Sequence, residues 1–388
     1  MVVAATRPRY CGVLLVAALW LTAGSICPGG RLAAQQTKRK PPPPPFSALF
    51  PLEEAWMITL PAAPTHAPAR EGGRVIVPVE SGALMALDWE SGETVWSVPL
   101  RATSTAVAGD GVLFVGAGDS LRALDPATGG DRWSAHARGT LDKLTHAGGV
   151  VLGAGGGFAQ AFDATSGTSR WTQTQLPPRE LTGVSTSNDV FVASFADGAV
   201  VAMALTDGRV LWTHMLKGRP GPPLVFKDAV YVGATDNHLY ALAVKDGRQR
   251  WTWQIGGDVV GAGADAKAIY YSSLDNVVRA VNPGNGNQRW KRDGGTRAVA
   301  PPIVVDGSVV VAGLSPALSG FAPLTGVPQG TFDLPSGELI GAPLLSPMLV
   351  PRTVAVADRV ASWFSFGTLT LALAVAIFWG VGASWRHC

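Results

Sequence analysis

The sequence predicts an all-β protein, a closed ring of four-stranded sheets, on three observations. A hairpin ending in tryptophan recurs at intervals of 37 to 41 residues. Glycine occurs 47 times while charged residues make up only 15 % of the 388. Short runs of valine, alanine and leucine fill the spaces between the turns. Abundant glycine with little charge favours short strands and tight turns over helices. Self-similarity at about forty residues, with four strands per unit, describes the blade of a β-propeller.

The bulk numbers exclude several functions. A formal charge of +3, without a basic stripe interleaved with aromatics, does not fit a nucleic-acid binder. The three cysteines are Cys11, Cys27 and Cys388. Residues 28–387 therefore offer no disulfide, cysteine metal site or haem attachment. A domain of roughly 300 residues buries enough core to do without cross-links.

The chain opens with Arg7 and Arg9 before an uncharged stretch reaching Arg31, with an apolar heart from Gly12 to Leu21. That length and polarity suit a signal peptide over residues 1–34. An uncleaved N-terminal anchor is the alternative. A lipid-modified Cys27 is a third reading, although Ile26 stands where a small residue is usual. Residues 35–52 form a linker containing KRKPPPPP (38–45), a stiff polyproline II spacer.

Six hairpins carry the repeat: ALDWESGETVW (86–96), ALDPATGGDRW (123–133), AFDATSGTSRW (161–171), AMALTDGRVLW (202–212), ALAVKDGRQRW (241–251) and AVNPGNGNQRW (280–290). A glycine stands four residues before each tryptophan and supplies the positive φ that closes the turn. One residue earlier come Ser91, Thr128, Ser166, Asp207, Asp246 and Asn285, types that cap turns by accepting backbone N–H groups. The indoles of Trp96, Trp133, Trp171, Trp212, Trp251 and Trp290 are expected between blades, as architecture. A seventh, decayed copy is GFAPLTGVPQG (320–330), with Thr325 at the capping position and Gly330 in place of tryptophan.

The propeller is expected over residues 53–360 with eight blades. GAPLL (341–345) and TVAVA (353–357) restart the pattern after the seventh copy, while EEAWMITL (53–60) is a lone strand with Trp56. Joining the two ends would complete an eighth blade and remove an exposed edge. Seven blades with leftover strands is the alternative.

No charge occurs between Arg359 and Arg386. Residues 361–385 are read as a transmembrane helix; the 23 residues from Trp363 to Trp385 would extend about 34 Å, enough for the ~30 Å hydrocarbon core. Trp363, Trp379 and Trp385 suit the two interfaces. Arg386 in the short tail 386–388 suggests a cytoplasmic C-terminus, which puts the propeller on the periplasmic side of the cell membrane.

The Ala-x-Asp-x-x-Thr-Gly-x-x-x-Trp hairpin resembles the repeat of the pyrroloquinoline-quinone (PQQ)-like β-propellers over about residues 53–358. That group includes periplasmic alcohol and glucose dehydrogenases and the propeller lipoprotein of the outer-membrane barrel-assembly machinery. The repeat specifies a scaffold, not an activity. The enzymatic members hold PQQ with Ca²⁺ and often use a vicinal cysteine pair, which this chain lacks. No catalytic residue carries over, the blades are near minimal length, and no cofactor or metal site is expected. The resemblance is closer to the non-enzymatic members and implies a binding scaffold with envelope or membrane proteins, or a small anion, as partners. A PQQ-dependent membrane dehydrogenase is the alternative.

Smaller motifs carry less. GAGGGF (153–158) looks like a dinucleotide loop, but Phe158 fills its last glycine position and no helix pattern follows. The histidines lack metal-ligand spacing. Asp119, Asp197, Asp236 and Asp275 recur between second and third strands and read as turn residues. The candidate site is the set of loops running from each outer strand to the next inner one. They carry Arg101, Arg138, Lys143, Arg179, Lys217, Arg219 and Arg297 against Asp142, Glu180, Asp258 and Glu338, a mildly positive funnel suited to an acidic peptide or small anion.

Overall fold

The structure, a computed structural model, describes residues 2–8 and 52–333 except 177, 188, 296, 306, 315 and 316. Glu338, the 341–345 and 353–357 segments, the proline run and the apolar segment 361–385 lie outside the described residues. Among the described residues no helix is long and apolar enough to cross a membrane.

Among the described residues all the regular structure is β. Seven sheets each contain four antiparallel strands in chain order, from a first blade at 69–98 to a seventh at 303–333. The third blade shows the plan: Lys143–Ala147, Val150–Gly155, Phe158–Asp163 and Ser169–Gln173, each paired with the next. Inner strands of successive blades adjoin one another. The second strands are buried along their whole length in the third, fourth and fifth blades, because neighbouring sheets cover both faces. That is why they read as unbroken apolar runs rather than alternating ones.

The outer hairpins form as their residue types require. Each capping side chain accepts the N–H two residues ahead, Asp207 from Arg209 at 3.0 Å and Thr128 from Gly130 at 3.2 Å, with the seventh-blade Thr325 doing the same for Val327 at 3.3 Å. The aspartate of Ala-x-Asp adds a second cap. Asp163 accepts from the backbone of Thr165 and Ser166 at 3.0 and 2.9 Å and from Arg170 at 2.6 Å. Asp88 and Asp125 are held similarly, with Arg74 and Arg132 as their partners.

The glycine has a second duty beyond its φ. At Gly208, with φ +72°, a Cβ would stand 2.4 Å from the Trp171 ring of the preceding blade. The same holds at Gly92, Gly129, Gly167, Gly247, Gly286 and Gly326, each facing the tryptophan one blade back. Each indole Nε1 also donates to a carbonyl in that turn, from 2.7 Å for Trp212 to Val244 to 3.1 Å for Trp133 to Ala164.

Trp56 obeys the same rule from outside the seven sheets. Its strand, Leu52–Thr59, pairs with Val2–Pro8 and puts the indole on Gly92 with Nε1 donating to Trp89 O at 3.0 Å. Trp56 and Ile58 pack on the first blade's core, and Leu52 on the seventh's. The strand is thus wedged between the first and last sheets.

Two inner strands are short: in PPLVF (222–226) and PPIVV (301–305) the strand begins only at Leu224 and Ile303, because the prolines have no N–H for the ladder.

Gly208→Ala should lower the unfolding free energy measured by urea denaturation by more than about 1 kcal/mol, from strain and the ring clash together. Trp171→Ala should cost about 3–5 kcal/mol. The Arg170 guanidinium foremost, then the Ser166 amide, holds the Asp163 carboxyl far below its usual range. Backbone N–H groups foremost lower the carboxyl of Asp88, and Arg132 foremost that of Asp125. A depressed folded value means this stabilisation is complete above the ordinary carboxylate range near pH ~4. It is lost as pH falls towards the folded values, so urea midpoints should drop in that acid range, and less steeply for Asp163→Asn.

Candidate functional site

Loops from outer to inner strands and hairpins between second and third strands lie on one face, because they bond to each other. Ala196 N donates to Glu180 O at 2.9 Å, Thr235 N to Arg219 O at 3.0 Å, Leu274 N to Asp258 O at 2.8 Å and Leu314 N to Arg297 O at 2.9 Å. The opposite face carries the capped turns.

The candidate basic residues fall into three settings on this face. Arg179 reaches the hairpin of the fourth blade and pairs with Asp197 at 3.0 Å. Arg219 pairs with Glu180 across neighbouring blades at 2.5 Å, both side chains being exposed. Lys143 is half-buried at the entry to the third blade, close enough to act on two neighbours. Burial foremost pushes the Asp142 carboxyl up, which Lys143 opposes. Burial and then Lys143 push His66 down, so the entry to the first blade lies near this lysine. Arg101, Arg138, Lys217 and Arg297 are exposed and, among the described residues, form no ion pair.

The recurrent hairpin aspartates do more than shape turns. Asp275 accepts from Val277 N at 3.2 Å and binds Arg279 at 2.6 Å. Asp236 accepts from the Tyr240 hydroxyl and lies 3.7 Å from His238. Burial foremost, with Asp236 adding to it, pushes the Tyr240 phenol up to about 12.

The third blade departs from this pattern, and sequence reading missed it. There Arg138, Thr140, Asp142, Gly156, Phe158 and Thr174 line an open cleft of about 450 Å³. The buried Phe158 ring forms its base beside Gly139, where a Cβ would come within 3.2 Å of it. Gly156 and Gly157 of the glycine run line this cleft.

Among the described residues no three His, Cys, Asp or Glu side chains gather to hold a metal ion.

A family model described as outer membrane protein assembly factor BamB, PQQ_2, matches residues 80–221 and again 196–335, well over half the chain. The chain belongs to this family. Among solved structures, the PQQ_2 chain is similar to BamB from Moraxella catarrhalis, at 19 % identity and TM-score 0.58 over 72 % of this chain and 90 % of that one. It is also similar to the computationally designed Ika8 protein, at 16 % identity and TM-score 0.65 over the same shares, 72 % and 90 %. Identities this low speak for the fold alone. No curated protein matches the chain.

The Arg219–Glu180 pair is too exposed to hold the fold. A double-mutant cycle to alanine should give a coupling below about 1 kcal/mol in urea denaturation. Charge changes on this face should therefore report on binding rather than folding.

Proposed function

We propose that this PQQ_2-family propeller is a non-enzymatic scaffold, held at the cell membrane by residues 361–385 with its blades in the periplasm, and that its positively biased loop face holds partner proteins during envelope assembly. The observation that carries the reading is the contrast between the two faces. On the turn face the repeated aspartates are consumed by backbone N–H groups and arginines. On the loop face, exposed cations such as Arg101, Arg138, Lys217 and Arg297 stand on rigid strands. Side chains that neither fold the turn nor seal a blade are the ones available to a partner. The name of the matched family and the similarity to BamB support envelope assembly as the setting.

Charge reversal at Arg138, Lys143, Arg219 and Arg297, followed by crosslinking in native membranes, tests this face. Partner adducts should fall sharply while the urea midpoint moves little; unchanged adducts would remove the face from consideration. Carbonate extraction tests the anchor, since the chain should stay with the membrane and lose that property without residues 361–385.

The wedged Trp56 strand supports eight blades, with 341–345 and 353–357 as inner strands beside it. Deleting 341–357 should then lower the urea midpoint about as much as removing one interior tryptophan. A seven-bladed ring would tolerate the deletion unchanged.

A further inference from the structure

Counting back five residues from the repeat alanine lands on the same place in successive hairpins. It gives Asp197 from Ala202, Asp236 from Ala241 and Asp275 from Ala280, but Ser81 from Ala86, Gly118 from Ala123 and Gly156 from Ala161. The fourth, fifth and sixth blades thus hold a carboxylate of their own at the loop face, bound to Arg179, Tyr240 and Arg279 respectively. The third blade retains the basic side of this arrangement without the acid. Arg138 stands eighteen residues before Gly156, as Arg179 stands before Asp197. Both Arg138 and Gly156 line the 450 Å³ cleft.

We infer that this cleft receives the carboxylate of an acidic side chain from a partner's peptide segment, seated where the next three blades keep their own aspartate. The inference rests on the binding-face reading and names its chemistry. Arg138 supplies a planar pair of donors, the geometry that binds a carboxylate twice over. Thr140 and Thr174 add hydroxyl donors on the cleft wall, and Gly156 lets the incoming group approach the backbone closely. Asp142 opposes the ligand's charge from the same cleft, and the neighbouring Lys143 offsets it. A segment carrying glutamate or aspartate between small residues fits an opening of this size better than a bulky one.

The glycine also provides the test. A Cβ at Gly156 meets nothing within 4 Å, and its φ is not in the left-handed region. Gly156→Asp should therefore fold and place a carboxylate of the chain's own beside Arg138. The probe is a fluorescein-labelled peptide of alternating Glu and Gly, titrated by anisotropy against the full chain in detergent at low salt. The unaltered chain should bind it at least about tenfold more tightly than the Gln-Gly counterpart. Arg138→Ala and Gly156→Asp should each weaken binding about tenfold, Gly156→Ala should not, and Asp142→Asn should tighten it. Equal binding of Glu and Gln peptides, no saturable binding, or full binding by Gly156→Asp would overturn the inference. If Arg219→Ala and Arg297→Ala abolish binding while the cleft variants keep it, the wider face stands and the cleft falls. If every variant binds alike, both fall.

Discussion

One contact organises this protein: an indole laid flat on a glycine of the next blade and pinned there by its ring N–H. Three demands meet at that glycine. The turn needs a positive φ, the ring needs a surface without a Cβ, and the carbonyl nearby must be aimed at Nε1. Tryptophan serves because it combines the largest apolar face of any side chain with an N–H donor at its edge. The same contact appears at seven successive glycines from Gly92 to Gly326, which is why the sequence keeps this hairpin while the strands between drift freely among apolar residues.

Such a scaffold divides its two faces. Turns on one face repeat the same chemistry, an acid or hydroxyl capping backbone N–H groups, and arginines complete several of them. The fold needs them all to be alike. Loops on the other face need only to return the chain to the next inner strand, so each blade solves the task differently. The fourth closes its hairpin with Arg179 and Asp197, the sixth with Arg279 and Asp275, and the third leaves Gly156 and an open cleft. Function in a repeat protein is to be sought where the copies stop matching.

That division also explains what was legible in the sequence. The turn cap at Asp207 and the indole at Trp171 could be read because period and residue type both pointed to them. The second role of Gly208 could not, since its partner is 37 residues away and reveals itself only when two blades touch. The alternation of inner strands was hidden for the same reason. Gly183 and Gly261 are bare because Pro222 and Pro301 of the following blade press on them, with a Cβ there coming within 2.5 Å. Among the site residues, Arg138 could be named from its loop. The cleft beside it could not, because it arises where Arg138 meets a hairpin with glycine in place of the aspartate of the next three blades, and glycine in a turn excites no suspicion by itself.

The indole contact has a direction, and the direction forces a consequence at the ends. Each tryptophan of the motif reaches forward, from its own outer strand to the glycine of the next blade. The seven described blades therefore need one indole from outside for their first glycine, and the last outer strand has no described glycine turn ahead of it. The chain meets the first need with Trp56, upstream of all the repeats. It answers the second with Gly330, where the tryptophan of the motif has been dropped. The seventh turn also shows Leu324 and Val327 more than half exposed, where the third blade has Thr165 and Thr168 and the fifth Lys245 and Arg248. Loss of the seventh tryptophan therefore breaks no indole–glycine contact among the described residues, while the strand that carries Trp56 is tied by packing to both the first core and the seventh. The two ends of the repeat array are held by one short strand, so the integrity of the ring rests on residues that carry no copy of the repeat at all.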